Sequence, residues 1–127
     1  MDVPNGLVVP SADAKTIEEI AADVRSLRDE ARGKGLPLTK MSGGSFTISS
    51  LGAIGGLGFT PIIKAPEVAI LGAGRAQRKP FESNDGQIVW QNMLPMTLSY
   101  DHRVINCVIA GSFCRELSQA LLDAGQL

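Results

Sequence analysis

Apolar and polar residues alternate over several short segments of the chain, a pattern that is typical of β-strands. The clearest example is Met93–Tyr100, which ends just before a histidine. Ser83-Asn84-Asp85-Gly86 is a turn sequence that predicts a hairpin between residues 76–82 and 87–92. The remaining predicted strands are 6–10, 45–49 and a buried strand at 68–74.

Two longer segments carry the periodicity of amphipathic helices. Thr16 and Glu19 form the capping-box pattern, in which each side chain satisfies a free amide at a helix start. The helix predicted from this point ends near Gly33. A second helix is predicted at about 106–123, with an apolar stripe formed by Ile109, Phe113, Leu117 and Leu121. Strands and helices together predict an α/β fold with a mixed sheet and flanking helices.

Composition narrows the functional classes. The 127 residues suit one compact domain, and the 12 basic residues nearly balance the 13 acidic ones. Without a basic patch interleaved with aromatics, nucleic acid is not an expected partner. The apolar runs are too short to span a membrane, and the N-terminus lacks a secretory pattern. We therefore expect a cytoplasmic protein.

The two cysteines, Cys107 and Cys114, lie seven positions apart on the second predicted helix. Two helical turns separate them by roughly 10 Å, which is beyond disulfide reach. We expect both to be reduced and buried as small apolar residues.

His102 is the only histidine of the chain and follows a predicted strand at a turn. Its pKa near neutrality suits proton transfer, although a lone histidine more often only satisfies a hydrogen bond. No Cys/His spacing predicts a metal site. The glycine-rich segment 51–58 lacks the spacing of a phosphate-binding loop, so close packing is the better explanation of those glycines.

The segment Asp101-His102-Arg103-Val104-Ile105-Asn106 resembles the Asp-His-Arg-x-x-Asp-Gly signature of the dihydrolipoamide acyltransferases. These are the E2 cores of 2-oxoacid dehydrogenase complexes. Further blocks are similar to this family in the same order, most closely to its pyruvate-type members. They are Pro4–Pro10, Gly43–Gly52, Phe59–Ile63 and Ala65–Gly72.

The resemblance implies a partial chloramphenicol-acetyltransferase-like fold, covering the C-terminal half of a catalytic domain over residues 1–127. It implies no lipoyl or peripheral-subunit-binding domain. Coenzyme A and dihydrolipoamide would be the substrates, with neither covalently bound lipoate nor a metal. His102 would be the general base, Ser49 the oxyanion stabiliser and Asn106 a supporting group that fixes the loop and an arginine. No coenzyme A-binding residue is assigned.

Two positions depart from the signature: Asn106 replaces aspartate, and Cys107 replaces glycine. If that glycine requires a positive φ, Cys107 would be strained by on the order of 1 kcal/mol or more. It could also obstruct the thiol channel. A nucleophilic role for Cys107 is a minor alternative. Present activity is therefore an open question.

The implied assembly is a homo-oligomer of trimers, in which Ser49 and His102 of neighbouring subunits meet, and the trimers would form a cubic cage. Full-length acyltransferase subunits are further candidate partners. Leu127 is the candidate plug between trimers, and deleting Gln126 and Leu127 should release free trimers. The competing hypothesis is a non-catalytic scaffold or accessory core subunit. A stand-alone acetyltransferase for a small alcohol or antibiotic is a weaker alternative.

Overall fold

The computed structural model describes residues 6–53 and 57–125. The predicted plug at Leu127 therefore lies outside the described residues. The chain divides into two compact units, residues 1–45 and 46–127. Over the described ranges, no helix is long and apolar enough to cross a membrane.

The first unit contains helix α1, Ile17–Gly33. The predicted capping box is confirmed: Glu19 N–H donates to Thr16 Oγ1 at 3.3 Å, and Thr16 N–H donates to Glu19 Oε2 at 2.8 Å. The helix ends where Lys34 caps it and Gly35 adopts a φ of +78°. Short 3₁₀ helices lie at Ala12–Ala14 and Leu38–Lys40.

The strand predicted at residues 6–10 is wrong. Residues 6–9 have no regular structure, and the chain turns at Pro10. Val8 N–H donates to the Lys40 carbonyl at 3.0 Å. An apolar segment becomes a strand only where a neighbour supplies a repeating ladder of hydrogen bonds, and a single contact of this kind does not make one.

In the second unit, residues 46–53 and 57–125 form five strands and one helix. The strands are β1 Thr47–Ser50, β2 Ala69–Ala73, β3 Gln77–Glu82, β4 Ile88–Met93 and β5 Met96–Tyr100. The first sheet has the order β1-β2-β5, with β1 parallel and β5 antiparallel to β2. The predicted mixed sheet is confirmed. Its central strand β2 is buried, as expected: Ala69, Ile70 and Leu71 are each 7% exposed or less.

Strands β3 and β4 form the predicted hairpin, pairing from Gln77↔Met93 to Glu82↔Ile88. At its tip, Gly86 N–H donates to the Ser83 carbonyl, and Gly86 adopts a φ of +75°. Glycine accepts this left-handed conformation without steric cost, which explains its position in the turn.

The strand predicted as one run over residues 93–100 is divided in the structure. Met93 is the last residue of β4, whereas β5 begins at Met96. Pro95 lies between them and has no amide proton to donate to a ladder. Apolar residues continue without interruption from Met93 to Met96, so hydrophobicity alone did not reveal the break.

Helix α2, Cys107–Ala124, was predicted at nearly these bounds, but its predicted apolar stripe is wrong. Ile109, Phe113 and Leu121 are 56%, 40% and 45% exposed, whereas Ala110 is buried. A step of four residues advances about 40° beyond a full turn, so the predicted stripe winds around the helix. Ala110 and the half-buried Leu117 are seven residues apart and therefore share one face.

Candidate active site

The turn after β5 is held by the backbone and side chain of Asp101. Its N–H donates to the Val68 carbonyl at 2.8 Å, while its own carbonyl accepts from the amides of Val104 and Ile105 at 3.0 and 2.9 Å. The Asp101 carboxylate also accepts from the Arg103 amide at 3.0 Å. These bonds fix the backbone on both sides of His102.

Arg103 forms an ion pair within the same turn. Its guanidinium donates to both carboxylate oxygens of Asp101, the shortest distance being 2.6 Å. The side-chain and backbone hydrogen bonds from Arg103 lower the Asp101 pKa to about 2. Asp101 therefore remains a carboxylate at neutral pH. Within this turn, Asp101 is the residue that holds Arg103.

His102 lies exposed on the turn, and its Nε2 atom is 3.2 Å from Cys107 Sγ. The Tyr100 hydroxyl donates to the same sulfur at 3.5 Å. Hydrogen bonds from Tyr100 and His102 lower the pKa of the Cys107 thiol, because donors that converge on sulfur favour the thiolate. The contact with Cys107 in turn raises the pKa of His102.

Asn106 is the N-cap of α2. Its Oδ1 atom accepts a hydrogen bond from Ile109 N–H at 3.0 Å, which satisfies one of the free amides at the helix start. The predicted role of fixing the loop fits this position. Asn106 thereby joins the His102 turn to the helix that carries Cys107.

Two expectations about the cysteines are wrong. Cys107 is the first residue of α2, so it has right-handed helical backbone rather than the positive φ that would cause strain. Cys107 and Cys114 are both free, but both are exposed instead of buried. The Cys107 sulfur instead contacts Tyr100 and His102.

The structure does not bring Ser49 and His102 together within one chain. Ser49 pairs with Gly72, which pairs with Thr97 near the start of β5. His102 follows the other end of β5, so the two residues are separated by roughly 16 Å along the sheet at ~3.3 Å per residue. Ser49 is half-buried on β1.

An open groove of about 620 Å³ flanks the turn. Asp101, Arg103 and Val104 form one wall, and segment 63–68 forms the other. Glu67 in that segment accepts a hydrogen bond from the Thr47 hydroxyl at 2.6 Å, which ties the start of β1 to this wall. No group of three potential metal ligands occurs within residues 6–53 and 57–125.

The contact of Tyr100 and His102 with Cys107 was not among the features predicted from the sequence. A signal was present, because an asparagine N-cap makes the next residue the first of a helix. That position faces back toward the preceding turn, where His102 lies five residues earlier. The cysteine was instead compared with the glycine of the family signature.

A mixed sheet whose last strand delivers an exposed histidine to a rigid turn suits an acyl-transfer domain with a histidine base. The family model of the 2-oxoacid dehydrogenases acyltransferase catalytic domain matches residues 1–127. The chain belongs to this family.

Sequence relatives agree with the family model. The chain is 49% identical over 127 residues to the dihydrolipoyllysine-residue acetyltransferase component of the Pseudomonas aeruginosa pyruvate dehydrogenase complex. It is 47% identical over 127 residues to the same component of Azotobacter vinelandii. Each match covers 97% of this chain but only 23% and 20% of the respective relative.

Solved structures show the same fold. One comes from an investigation of a serine, a histidine and an asparagine in the catalytic mechanism of Azotobacter vinelandii dihydrolipoamide acetyltransferase; it has a TM-score of 0.86 and 44% identity. A second structure, the cubic core of the pyruvate dehydrogenase multienzyme complex, matches with a TM-score of 0.85 and 46% sequence identity. The matches cover 93% and 98% of this chain, and 48% and 52% of those chains. The predicted chloramphenicol-acetyltransferase-like fold is confirmed.

Proposed function

We propose that this chain is a dihydrolipoyl acetyltransferase core protein that transfers acetyl groups between dihydrolipoamide and coenzyme A. The observation that carries the proposal is the position of His102. Its imidazole is exposed on a turn whose backbone is fixed on both sides by hydrogen bonds of Asp101. Both proposed substrates present the same functional group, a thiol, to the base.

In this proposal His102 accepts a proton from the substrate thiol. A free thiol has a pKa near 8.5 and is mostly protonated at pH 7, so a base increases the fraction of reactive thiolate. The thiolate attacks the thioester carbonyl, and the resulting oxyanion requires a hydrogen-bond donor. Ser49 of a neighbouring copy is the proposed donor, because Ser49 and His102 of one chain lie at opposite ends of the sheet.

Asn106 has a positioning role in the proposal, since it caps the helix that follows the His102 turn. The Azotobacter vinelandii relative supports this assignment. A serine, a histidine and an asparagine were studied in its catalytic mechanism, and the asparagine follows the histidine by four positions. Asn106 follows His102 by the same interval.

The proposed assembly is a trimer, with trimers joined into a cubic cage. One support is the similarity to a cubic core at 46% identity. Another is the exposed apolar surface of the second unit, since a single chain in water rarely keeps so many large apolar side chains exposed. On the hairpin and α2 these are Phe81, Ile88, Val89, Trp90, Met93, Val108, Ile109, Phe113, Leu121 and Leu122.

Acetyl transfer from acetyl-coenzyme A to free dihydrolipoamide by the purified chain tests the activity. His102→Ala should abolish transfer, and Ser49→Ala should reduce it about 10²-fold, as expected for one lost oxyanion donor. Ser50→Ala is the matched control, because the adjacent serine is exposed at the end of the same strand. It should leave the rate nearly unchanged.

A second candidate function is a non-catalytic scaffold or accessory core subunit. Two observations favour it: His102 Nε2 is engaged by Cys107, and Ser49 is remote from it in one chain. A wild-type rate equal to that of His102→Ala would establish the scaffold and exclude the enzyme. Cys107→Gly separates the two further, since a rate gained on removing the thiol would identify Cys107 as the inhibiting group.

A further inference from the structure

We infer that Cys107 is a covalent modification site, at which small-molecule disulfides form a mixed disulfide with a thiol activated by His102. Three side chains from two elements make the site: Tyr100 at the end of β5, His102 on the turn and Cys107 at the start of α2. The inference concerns this cluster and does not depend on acetyl transfer.

The geometry directs two potential donors at one sulfur. His102 Nε2 lies 3.2 Å and the Tyr100 hydroxyl 3.5 Å from Cys107 Sγ. The rings of Tyr100 and His102 are 5.9 Å apart between centroids, so the two groups are neighbours on one side of the cluster. Imidazole and hydroxyl groups at this distance stabilise a thiolate, the reactive form of cysteine.

The position of Cys107 on the helix acts in the same direction. As the first residue of α2, its sulfur lies near the positive end of the helix dipole, which also favours a thiolate. The hydrogen bonds from Tyr100 and His102 lower the pKa of the Cys107 thiol from its ordinary value. Cys107 and His102 are both exposed, so a small reagent can reach the sulfur.

The proposed reaction is a thiol–disulfide exchange. The Cys107 thiolate attacks one sulfur of the reagent, forming a new S–S bond while the old S–S bond breaks. The electron pair leaves with the second sulfur, which departs as a thiolate and takes up the proton that the Cys107 thiol had given to His102. No oxidant other than the disulfide is required.

Cys114 provides an internal comparison on the same helix. It is also free and exposed, but it lies two turns away beside a cavity lined by apolar side chains such as Leu71 and Leu98. It therefore lacks the imidazole and the helix start that activate Cys107. Any general reactivity of surface thiols should appear equally at both positions.

The experiment measures thiopyridone release from dithiodipyridine at pH 7, with mass spectrometry to locate the modified cysteine. Cys107, studied in the Cys114→Ser variant, should react about fivefold or more faster than Cys114, studied in the Cys107→Ser variant. A free thiol is only a few per cent thiolate at this pH, so a larger thiolate fraction at Cys107 raises its rate by more than its lower intrinsic nucleophilicity reduces it. His102→Gln should slow Cys107 by a similar factor without changing the rate at Cys114.

Equal rates at the two cysteines, or a Cys107 rate unchanged in His102→Gln, would overturn the inference. Circular dichroism of each variant excludes unfolding as the cause of a change in rate. This inference and the proposed function can fail independently. Rapid modification of Cys107 in a chain that does not transfer acetyl groups would support this inference and contradict the proposed function. Acetyl transfer by a chain whose Cys107 is unreactive would contradict this inference and support the proposed function.

Discussion

The environment of His102 depends on a single residue five positions later. In the family signature the corresponding position carries glycine, which has no side chain to contact the imidazole. Here Cys107 lies 3.2 Å from Nε2 and raises the His102 pKa, because the thiol sulfur accepts a hydrogen bond that favours the charged imidazolium. A single substitution thus changes the protonation of the proposed base.

This contact predicts the titration of His102. The midpoint should lie above the ordinary value of about 6.5 and fall toward it in Cys107→Ser, whose hydroxyl does not become an anion in this range. Because the folded pKa is raised, the stabilising effect of His102 protonation is present below pH 6.5 and is lost as pH rises through the folded pKa. Imidazole NMR measures the midpoint without ambiguity, since the chain has one histidine.

Cys114→Ser is the matched control and should titrate like the wild type. A midpoint at or below the ordinary value in the wild type, or one that Cys107→Ser does not lower, would contradict the assigned contact. The Tyr100 hydroxyl should titrate above its ordinary pKa for the related reason that it donates to the same sulfur.

At the scale of elements, the central strand β2 depends on the absence of a side chain at Gly72. A Cβ at this position would lie 3.0 Å from the Phe59 ring and 3.2 Å from the Pro61 ring. These distances identify close packing as the reason for glycine at this position. Glycine therefore lets segment 59–61 lie directly against the middle of the sheet.

Gly72→Ala should destabilise the fold by about 1–3 kcal/mol, because the rigid Pro61 ring cannot move away from the added methyl group. Gly111→Ala is the matched control in the interior of α2: apart from its chain neighbours and its own helix backbone, no atom of the described residues lies within 4 Å of its would-be Cβ. This change should stabilise the fold by about 1 kcal/mol through helix propensity.

Urea unfolding at one fixed protein concentration measures both changes, which avoids a contribution from shifted assembly. Equal stability of Gly72→Ala and wild type would show that segment 59–61 can shift away from β2. Destabilisation by Gly111→Ala would instead indicate that another surface packs against that side of α2.

At the scale of the whole molecule, the buried core is small relative to the apolar surface. Among the described residues, the buried apolar set comprises Ala69, Ile70, Leu71 and Ala110, and no large side chain is below 2% exposure. Trp90 on the hairpin and Val108 on α2 are 56% and 77% exposed. A domain with this distribution gains most of its remaining hydrophobic stabilisation by covering these side chains.

We therefore predict that the purified chain sediments as a closed oligomer based on threefold symmetry, and that dilution which dissociates it also unfolds it. Sedimentation velocity over a micromolar dilution series, followed in parallel by circular dichroism, measures this directly. A folded monomer at micromolar concentration would contradict both the trimer and its cage.

The sequence by itself determined the elements whose hydrogen bonds are local. The predicted capping box of α1 and the predicted Gly86 turn each involve residues within four positions of one another. Such contacts need no partner from a distant segment, so the sequence pattern was sufficient. The alternation of predicted strands and helices also indicated the mixed sheet, and the family blocks added the chloramphenicol-acetyltransferase-like fold.

The tertiary structure decided what depends on partners distant in sequence. It excluded a strand at 6–10, divided the run before His102 at Pro95, and turned Ala110 rather than Ile109 toward the sheet. It also brought Cys107 to His102 while keeping Ser49 at the opposite end of the sheet. Hydrophobic periodicity records which residues prefer burial, but only the packed chain determines the neighbour that each side chain meets.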